Sequence, residues 1–431
     1  MPRKILATAD LHLGRKSTQV SIDSDENATK YTWQRLIRWA FKNQVDAVVL
    51  AGDIIDRDNR YFEAIGPIHE GFEKLGAAGI PVIMTAGNHD FDVLRDIMQS
   101  NDYAHVHLLG ENGQWEARTI ETKSGPIQFL GWSFPQQYIH EDPLLKLASF
   151  EIPLNDDPTI GILHGALNAP ESKYAPIEMN RLMGKNVNAW VLGHIHKPVI
   201  HHENSPLIFY SGSPHALSPK ETGRHGPHLL TIESREKATH KQVLLSPVRY
   251  EKLNVDITKV ADQSEFRNLI VNTVAEDFEQ KKDELQHVSR VIYDIILTGK
   301  HALKAEFSAW HQNVDDFERT FGNGTTVSIR KISNKIEPEV QNLEELAHQP
   351  DPAGILAQAI LDIQAGKSSK FLENLSAKFR RQLSKMNTAK TYQPLHKDGR
   401  QYDNAPEHSE IFLLQECEQL LANLLAQKDK S

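Results

Sequence analysis

The sequence has almost no cysteine and no long apolar run. Cys417 is the only cysteine among the 431 residues, so no disulfide can form within the chain, as is usual in a reducing cytoplasm. No apolar stretch approaches the roughly 20 residues that a membrane-spanning helix needs. The first residues, MPRKILATAD, run directly into a strand pattern and do not resemble a signal peptide. We therefore expect a soluble, cytoplasmic protein without a membrane partner.

The chain also lacks an excess of positive charge. It has 48 Lys and Arg residues against 57 Asp and Glu residues, which gives a net charge of −9. This balance excludes a basic field over the whole molecule, so any contact with nucleic acid must be local or supplied by metals or a partner. The length exceeds that of one ordinary hydrophobic core and predicts two or three domains.

What is present in the first part of the chain is an alternation of strand and helix patterns. Short apolar runs at Lys4–Ala9, Asp46–Ala51 and Pro81–Ala86 predict strands, and helical patterns lie between them. Such an alternation predicts an α/β sheet with helices on its faces. Strand patterns dominate from residue 120 to residue 232, which predicts a second packed sheet.

The chain is predicted to divide into four parts. Residues 1–247 form the two-sheet α/β sandwich with flanking helices. Residues 248–335 mix strand and helix patterns and predict a small α+β domain, and the polar residues 336–352 predict a linker. Residues 353–431 contain helices with apolar residues on one face. The basic stretch 378–400 is predicted as a loop between these helices, either solvated or in contact with phosphates.

Five short polar motifs each follow a predicted strand. They are Asp10-Leu11-His12, Gly52-Asp53-Ile54-Ile55-Asp56, Gly87-Asn88-His89-Asp90, His164-Gly165 and Gly193-His194-Ile195-His196. Ligands of α/β sheets bind beyond the carboxyl ends of the strands. Carboxylates, imidazoles and an amide oxygen are ligands of hard and borderline divalent metals. One such motif means little, but five in order predict a centre for two metal ions.

The ordered motifs resemble those of the calcineurin-like metallophosphoesterase superfamily, over about residues 4–235. By this resemblance, a first metal would be held by Asp10, His12, Asp53 and His196. A second metal would be held by Asp53, Asn88, His164 and His194. His89 matches the catalytic histidine of the superfamily, which protonates the leaving oxygen or stabilises charge. Asp90 and Asp56 would orient ligands, although Asp56 has the alternative of capping its own turn.

Three segments are closer to one branch of this superfamily. TADLHLGR, AGDIIDRD and TAGNHDFDVL resemble the D subunits of bacterial SbcCD exonucleases and related repair nucleases. This resemblance implies a DNA nuclease that acts in repair or end processing and uses manganese. It also implies that residues 248–335 cap the site and position DNA, and that the C-terminal helices dock on a coiled-coil ATPase like SbcC.

Several interpretations stay open. Arg15, Lys16, Arg57 and Arg60 adjoin the metal motifs and are candidate contacts for a nucleic-acid backbone, with ordinary surface charge as the alternative. Trp132 and Tyr138 either stack on a base or belong to the core and a lid. Ala28–Phe41 or Phe62–Leu75 is a candidate homodimer surface, because relatives pair through helices; packing on their own sheet is the alternative.

Two other functions compete with a DNA nuclease. The first is a phosphoesterase for a small nucleotide or a phosphoprotein, which shares the metal chemistry but needs no extension after the catalytic domain. The second is a weakly catalytic assembly subunit of a coiled-coil ATPase complex.

Overall fold

The computed structural model describes residues 2–20, 25–58, 63–148, 150–152, 157–234, 237–301, 307, 310, 317–321, 324–338, 342–367, 370–388 and 406–428. The chain divides into two compact units. The first contains residues 1–253, 274–294 and 314–331, and the second contains residues 254–273, 295–313 and 332–431. No helix among the described residues is long and apolar enough to cross a membrane.

The first unit contains a mixed six-stranded sheet. Its strands are β1 (Arg3–Thr8), β2 (Ala47–Ala51), β3 (Val82–Thr85), β4 (Val106–Leu108), β13 (His228–Ser234) and β14 (Lys237–Gln242). Their order in the sheet is β14-β13-β1-β2-β3-β4. Strands β1 to β4 pair in parallel, whereas β13 and β14 join as antiparallel strands. The parallel pairing places the carboxyl ends of β1, β2 and β3 side by side.

A second mixed sheet also has six strands. They are β5 (Trp115–Ile120), β6 (Ile127–Trp132), β7 (Thr159–His164), β10 (Ala189–Gly193), β11 (Val199–His202) and β12 (Leu207–Tyr210). Their order is β11-β12-β10-β7-β6-β5. Strands β6, β7, β10 and β12 are parallel, and β5 and β11 run antiparallel at the two edges. After β7, the short strands β8 (Ala166–Leu167) and β9 (Pro176–Ile177) pair with each other.

The two sheets pack face to face around a common apolar core. Ile5 and Ala7 of β1 belong to the same buried cluster as Phe129 of β6 and Val191 of β10. Leu6, between them in the sequence, points to the other face and packs with the helices. Burial of both faces explains why the central strands are continuous apolar runs rather than alternating ones.

Helices cover the outer faces of both sheets. They are α1 (Thr29–Asn43), α2 (Ile65–Ala77), α3 (Val93–Ser100), α4 (Leu144–Leu147) and α5 (Met179–Met183), with 3-10 turns at Asp25–Asn27 and Glu111–Gly113. Trp33 of α1 and Phe72 of α2 are fully buried in one cluster with Val48 of β2. These apolar helix faces therefore pack on their own sheet, and a homodimer through them stays a prediction.

A small third sheet follows. Its strands are β15 (Val248–Asp256), β16 (Arg290–Thr298), β18 (Arg319–Thr320) and β19 (Thr326–Asn334), and α6 (Gln263–Gln280) lies between the first two. Their order is β15-β16-β19-β18. Both compact units contain parts of residues 248–335. The four predicted parts of the chain, with their boundaries, stay predictions.

The second unit ends in a set of C-terminal helices. Its remaining elements are β17 (Lys300–His301), β20 (Glu337–Pro338), α7 (Leu343–Ala347), α8 (Pro352–Gln364), α9 (Lys370–Thr388) and α10 (Pro406–Lys428). Ile360 of α8 packs with Leu413, Cys417 and Leu421 of α10. Helix α8 begins where the predicted linker ends, because the Asp351 side chain accepts a hydrogen bond from Gly354 N at 2.9 Å.

The structure confirms the predicted two-sheet α/β fold with a small third sheet and C-terminal helices. One prediction was wrong for residues 378–388 of the basic stretch, which continue helix α9 as far as Thr388 instead of forming a loop; residues 389–400 lie outside the described residues. Leu372, Leu375 and Phe379 recur at helical spacing. Leu372 is buried, and Leu375 and Phe379 pack against the core of the C-terminal helices. The high density of Lys and Arg in this stretch concealed that period.

Candidate metal centre

The candidate ligands lie on turns that directly follow strands of both sheets. Asp10 follows β1, Asp53 follows β2 and Asn88 follows β3 in the first sheet. In the second sheet, His164 is the last residue of β7 and His194 follows β10. All of these strands are parallel within their sheets, so the turns meet at one edge of the sandwich.

Four of the candidate ligands have a left-handed backbone conformation. The φ angles are 51° for Asp10, 46° for His12, 50° for Asp53 and 103° for His194. This conformation costs a non-glycine residue about 1–3 kcal/mol and is concentrated at functional sites. Backbone bonds help to hold it, since Asp10 N donates to Gly52 O and His12 N donates to Asp53 O, both at 3.0 Å.

Gly87 and Gly193 allow the turns to approach closely. A Cβ atom on Gly193 would lie 2.0 Å from Ala51 O, which belongs to the other sheet. A Cβ atom on Gly87 would lie 2.2 Å from the Asp53 carboxylate. A side chain at either position would push the candidate ligands apart.

The Asp53 carboxylate lies at the middle of the site. Its Oδ2 atom is 3.3 Å from His164 Nε2, 3.9 Å from His12 Nε2 and 4.0 Å from His89 Nε2. Around it, His12 Nε2 lies 3.2 Å from His196 Nε2. On the other side, His164 Nε2 lies 3.2 Å from the amide oxygen of Asn88.

The donor atoms converge in groups that fit metal ions. Among the described residues, these groups are Asp10 with His12 and His196, Asp10 with Asp53 and His164, and His12 with Asp56 and His89. His194 belongs to none of them, but its ring lies 5.5 Å from that of His164 and its backbone N–H donates to both oxygens of Asp10. Buried imidazoles and carboxylates that meet at these distances are a suitable donor set for divalent cations.

The electrostatic balance of the site also favours cations. Burial by itself lowers the pKa of His164, but the charges of Asp53 and Asp10 overcome this effect and raise it to about 9. Burial opposes the ionisation of Asp53 too, yet His164, His12 and His89 lower the pKa of this carboxyl. The carboxylates therefore favour positive charge at His164, whereas burial and the neighbouring His164 lower the pKa of His194 to about 3.

The two remaining aspartates have different local contacts. Asp90 is fully buried and accepts hydrogen bonds from Gly87 N at 2.7 Å and Ile54 N at 2.5 Å, so it joins two of the turns. Asp56 Oδ1 lies 3.3 Å from His12 Nδ1, and its Oδ2 accepts from Asp58 N at 3.2 Å. Asp56 thus caps its own turn and contacts a candidate ligand, so the two interpretations of this residue are compatible.

The basic residues beside the motifs differ in exposure. Arg15 is partly exposed, and its Nε lies 3.8 Å from Asp56. Lys16 and Arg57 are exposed. Arg60 lies outside the described residues.

Glu221, which none of the sequence motifs includes, also contacts a candidate ligand. Glu221 Oε1 lies 3.0 Å from His196 Nδ1, the ring nitrogen that faces away from His12. Its other oxygen accepts a hydrogen bond from Leu217 N at 2.8 Å. A carboxylate at this place fixes the imidazole orientation and makes it a better electron donor. Glu221 follows His196 by 25 residues in an irregular loop, and no local pattern marks it.

Comparison with known proteins agrees with this geometry. Residues 3–198 match the family model of the calcineurin-like phosphoesterases. This part of the chain belongs to that family. The site is therefore that of a metal-dependent phosphoesterase, a hydrolase that acts on ester bonds, and its His and Asp residues suit two divalent ions.

Three relatives share about a quarter of their aligned residues with this phosphoesterase. An uncharacterized metallophosphoesterase of Bacillus subtilis, YhaO, is 26% identical over 62% of this chain and 66% of its own length. The D chain of the SbcCD nuclease of Staphylococcus epidermidis is 26% identical over 63% of this chain and 79% of its own. The DNA double-strand break repair protein Mre11 of Sulfurisphaera tokodaii is 26% identical over 73% and 78%.

Proposed function

We propose that the protein is a metal-dependent DNA nuclease that hydrolyses phosphodiester bonds in repair or end processing. This proposal rests on how much of the chain aligns with SbcD, the D component of SbcCD, and with Mre11. The family model covers residues 3–198, or 196 of 431 residues, which is less than half of the chain. The alignments with the two proteins cover 63% and 73% of it. The likeness therefore includes residues beyond the catalytic domain, where a small-molecule phosphoesterase needs no extension.

We assign the ligands to two ions that share Asp53. Asp10, His12, Asp53 and His196 would hold one ion, and Asp53, Asn88, His164 and His194 would hold the other. When bound, two divalent ions neutralise the charge of a phosphodiester and activate a water for in-line attack. We take manganese as the metal, because the resemblance implies it and the nitrogen and oxygen donors accept it.

His89 is the group that we assign to the leaving oxygen. Its side chain is 35% exposed, whereas Asp53 beside it is buried, so a substrate can reach the imidazole. The His89 backbone N–H donates to Asp53 Oδ1 at 2.9 Å, and its ring packs edge-on against His12 at 4.9 Å. The ring is thereby fixed next to the bridging carboxylate, where it can deliver a proton to the departing oxygen.

We further propose contacts for DNA and for a protein partner. Arg15, Lys16 and Arg57 would contact the phosphates of the DNA strand, and residues 248–335 would cap the site. The C-terminal helices would dock on a coiled-coil ATPase like SbcC. They expose large apolar side chains, which are Ile355 at 54%, Phe371 at 50%, Ile411 at 55% and Leu420 at 51%. Exposed apolar side chains are a common feature of docking surfaces.

The test compares the wild-type protein with His89→Ala in the presence of manganese. Release of nucleotides from linear double-stranded DNA is measured beside hydrolysis of bis-p-nitrophenyl phosphate. We expect the variant to lose both activities by a factor of about 10²–10⁴, the range for a general acid. His348→Ala is the matched control, since His348 is an exposed histidine of the C-terminal unit.

The two substrates separate the proposed function from its rivals. Hydrolysis of the small diester without cleavage of DNA would favour a phosphoesterase for a small nucleotide or phosphoprotein. Weak activity that rises when a coiled-coil ATPase is added would favour the role in assembly. Unchanged activity of His89→Ala would remove His89 from the reaction.

A further inference from the structure

A cavity of about 310 Å³ opens in the segment that follows β6. Its walls include Trp132, the exposed Tyr138 and Lys146. None of these residues belongs to the metal centre. The wall combines aromatic rings with the ammonium group of Lys146, and it also includes the carboxylates of Glu141 and Asp142, of which Asp142 lies 3.2 Å from Arg181 Nε. Aromatic rings beside an ammonium group are the chemistry that binds a base and the phosphate attached to it.

One series of aromatic rings connects this cavity with the metal centre. Trp132 in the cavity wall packs against Phe134, with ring centroids 5.3 Å apart. Phe134 packs edge-on against the candidate ligand His164 at 5.7 Å. Phe134 is 1% exposed, so this series is a rigid part of the core.

A second series connects the two places along the surface. The Tyr138 ring lies 5.8 Å from that of Tyr174, which lies 5.1 Å from the ring of the candidate ligand His194. Tyr138 is therefore two ring contacts away from the metal centre. A strand whose phosphate lies at the metals has a neighbouring base within reach of this ring.

The backbone holds Tyr138 in this position. Ile139 N donates to Lys173 O at 2.9 Å, and Ala175 N donates to Ile139 O at 2.8 Å. These two bonds join the segment of Tyr138 to that of Tyr174. The ring is nevertheless 39% exposed, so the core does not use the whole of its apolar surface. An aromatic ring that is both fixed and exposed is suited to stacking with a ligand.

An ammonium group suited to the phosphate of a nucleotide lies beside the cavity, close to the Tyr138 ring. The ammonium of Lys173 lies 4.3 Å from the centre of the Tyr138 ring and 5.3 Å from that of Tyr174. A phosphate matches this ammonium.

We propose that this cavity binds a nucleobase of the DNA strand that is being cleaved. The base stacks on Tyr138, and Lys173 contacts the phosphate between this base and the metal centre. This inference rests on the proposed nuclease function and adds the path that the strand takes across the surface.

The experiment measures binding and cleavage separately. Binding of a fluorescent, phosphorothioate-linked single-stranded oligonucleotide is followed by anisotropy in EDTA, so it does not depend on activity. Cleavage kinetics in manganese use the same sequence with ordinary phosphates, with and without an abasic site near the cleaved bond. Bis-p-nitrophenyl phosphate, which has no nucleobase, reports on the metal centre alone. The variants are Tyr138→Ala, Tyr138→Phe and Lys173→Ala.

We expect Tyr138→Ala to weaken oligonucleotide binding and raise KM about tenfold, within the range for loss of one base–aromatic stack. Hydrolysis of the small diester should be unchanged, and Tyr138→Phe should behave as wild type because it keeps the ring. An abasic site should raise the KM of the wild-type protein to that of Tyr138→Ala on the intact oligonucleotide. It should not change the KM of Tyr138→Ala any further. Leu145→Ala is the matched control, since Leu145 is 52% exposed in α4 and does not line the cavity.

The outcomes distinguish this subsite from the nuclease function itself. Wild-type protein that cleaves DNA, with Tyr138→Ala indistinguishable from it, overturns the subsite and leaves the nuclease intact. If Tyr138→Ala loses activity on the oligonucleotide and on the small diester by the same factor, the subsite is also overturned, because such a result indicates damage to the metal centre. Wild-type protein that hydrolyses only the small diester and does not bind the oligonucleotide overturns both proposals.

Discussion

The metal centre contains a completely buried histidine, His164, and so does a second cluster, in which His215 contacts Ser17 and Thr32. The pKa values of these two histidines are shifted in opposite directions. Burial lowers the pKa of His215 to about 4. At His164, the same effect is overcome by Asp53 and Asp10, and the pKa rises to about 9. Burial alone therefore does not fix the charge of a histidine in this protein, because the carboxylates beside His164 reverse its effect there, whereas at His215 it prevails.

The hydrogen bonds show the same contrast. His215 Nε2 lies 2.8 Å from Ser17 Oγ, and its Nδ1 lies 2.7 Å from Thr32 Oγ1, so both nitrogens have neutral partners of their own. At the metal centre, His12 Nε2 and His196 Nε2 face each other at 3.2 Å. Satisfied nitrogens indicate a structural role, whereas nitrogens that converge on one point indicate a shared cation.

The largest effect is expected from Asp53→Asn. This change removes the central carboxylate but keeps its size. Loss of a partner outside the ligand shell costs 10- to 100-fold in metal affinity or activity, so loss of a bridging ligand should cost at least about a hundredfold in kcat for bis-p-nitrophenyl phosphate. Circular dichroism should show an intact fold. Activity within about threefold of wild type would remove Asp53 from the centre.

His215→Ala should lower the stability of the fold and leave metal binding almost unchanged, which is the opposite of the effect expected for Asp53→Asn. It leaves a cavity and removes the ring partner of the Thr32 hydroxyl, while the Ser17 hydroxyl keeps its bond to Ala216 O, so we expect the free energy of unfolding to fall by about 2–4 kcal/mol. Metal affinity of the folded protein should change by less than about threefold, because the His215 ring forms its hydrogen bonds with Ser17, Thr32 and Asn27, which are not candidate ligands. Urea unfolding and calorimetric titration measure the two quantities, with the exposed His201→Ala as control.

Glu221→Gln sharpens the comparison, because Glu221 acts on a ligand without belonging to the metal centre. The amide keeps the size and can still accept from Leu217 N, but it removes the negative charge beside His196. We expect metal affinity to fall about tenfold, as is typical of such partners, with unfolding in EDTA little changed. A matched change at an exposed glutamate, Glu203→Gln, should leave affinity unchanged.

The smallest effect concerns pH. Because His215 has a folded pKa of about 4 and an unfolded value near 6.5, its contribution to stability is complete above pH 6.5 and is lost as the pH falls toward 4. His225, Glu221 and Arg35 are the charged groups that act on it. His215→Gln should reduce the slope of unfolding free energy against pH in this window by up to about 1.4 kcal/mol per pH unit. An unchanged slope would contradict the neutral state of buried His215.

The sequence predicted the regular part of this molecule well. The strands β1, β2 and β3 begin and end within one residue of their predicted limits, because apolar runs buried on both faces have clear boundaries. The positions of Asp10 and Asp53 beyond those strands followed directly. Two features depend on contacts between residues far apart in the sequence, and local patterns did not predict them. Glu221 contacts His196 from an irregular loop 25 residues later. Helix α9 packs with other helices through apolar residues that are widely spaced among its charged residues.

The measurement that tests the central claim is the number of metal ions bound per chain. The protein is stripped with EDTA, dialysed, loaded with manganese, desalted and analysed by elemental mass spectrometry, beside Asp53→Asn and His215→Gln. We predict two manganese ions per chain in the wild type and in His215→Gln, and fewer than one in Asp53→Asn. A wild-type chain without bound metal, or an Asp53→Asn chain that keeps two ions, would contradict a centre built around Asp53.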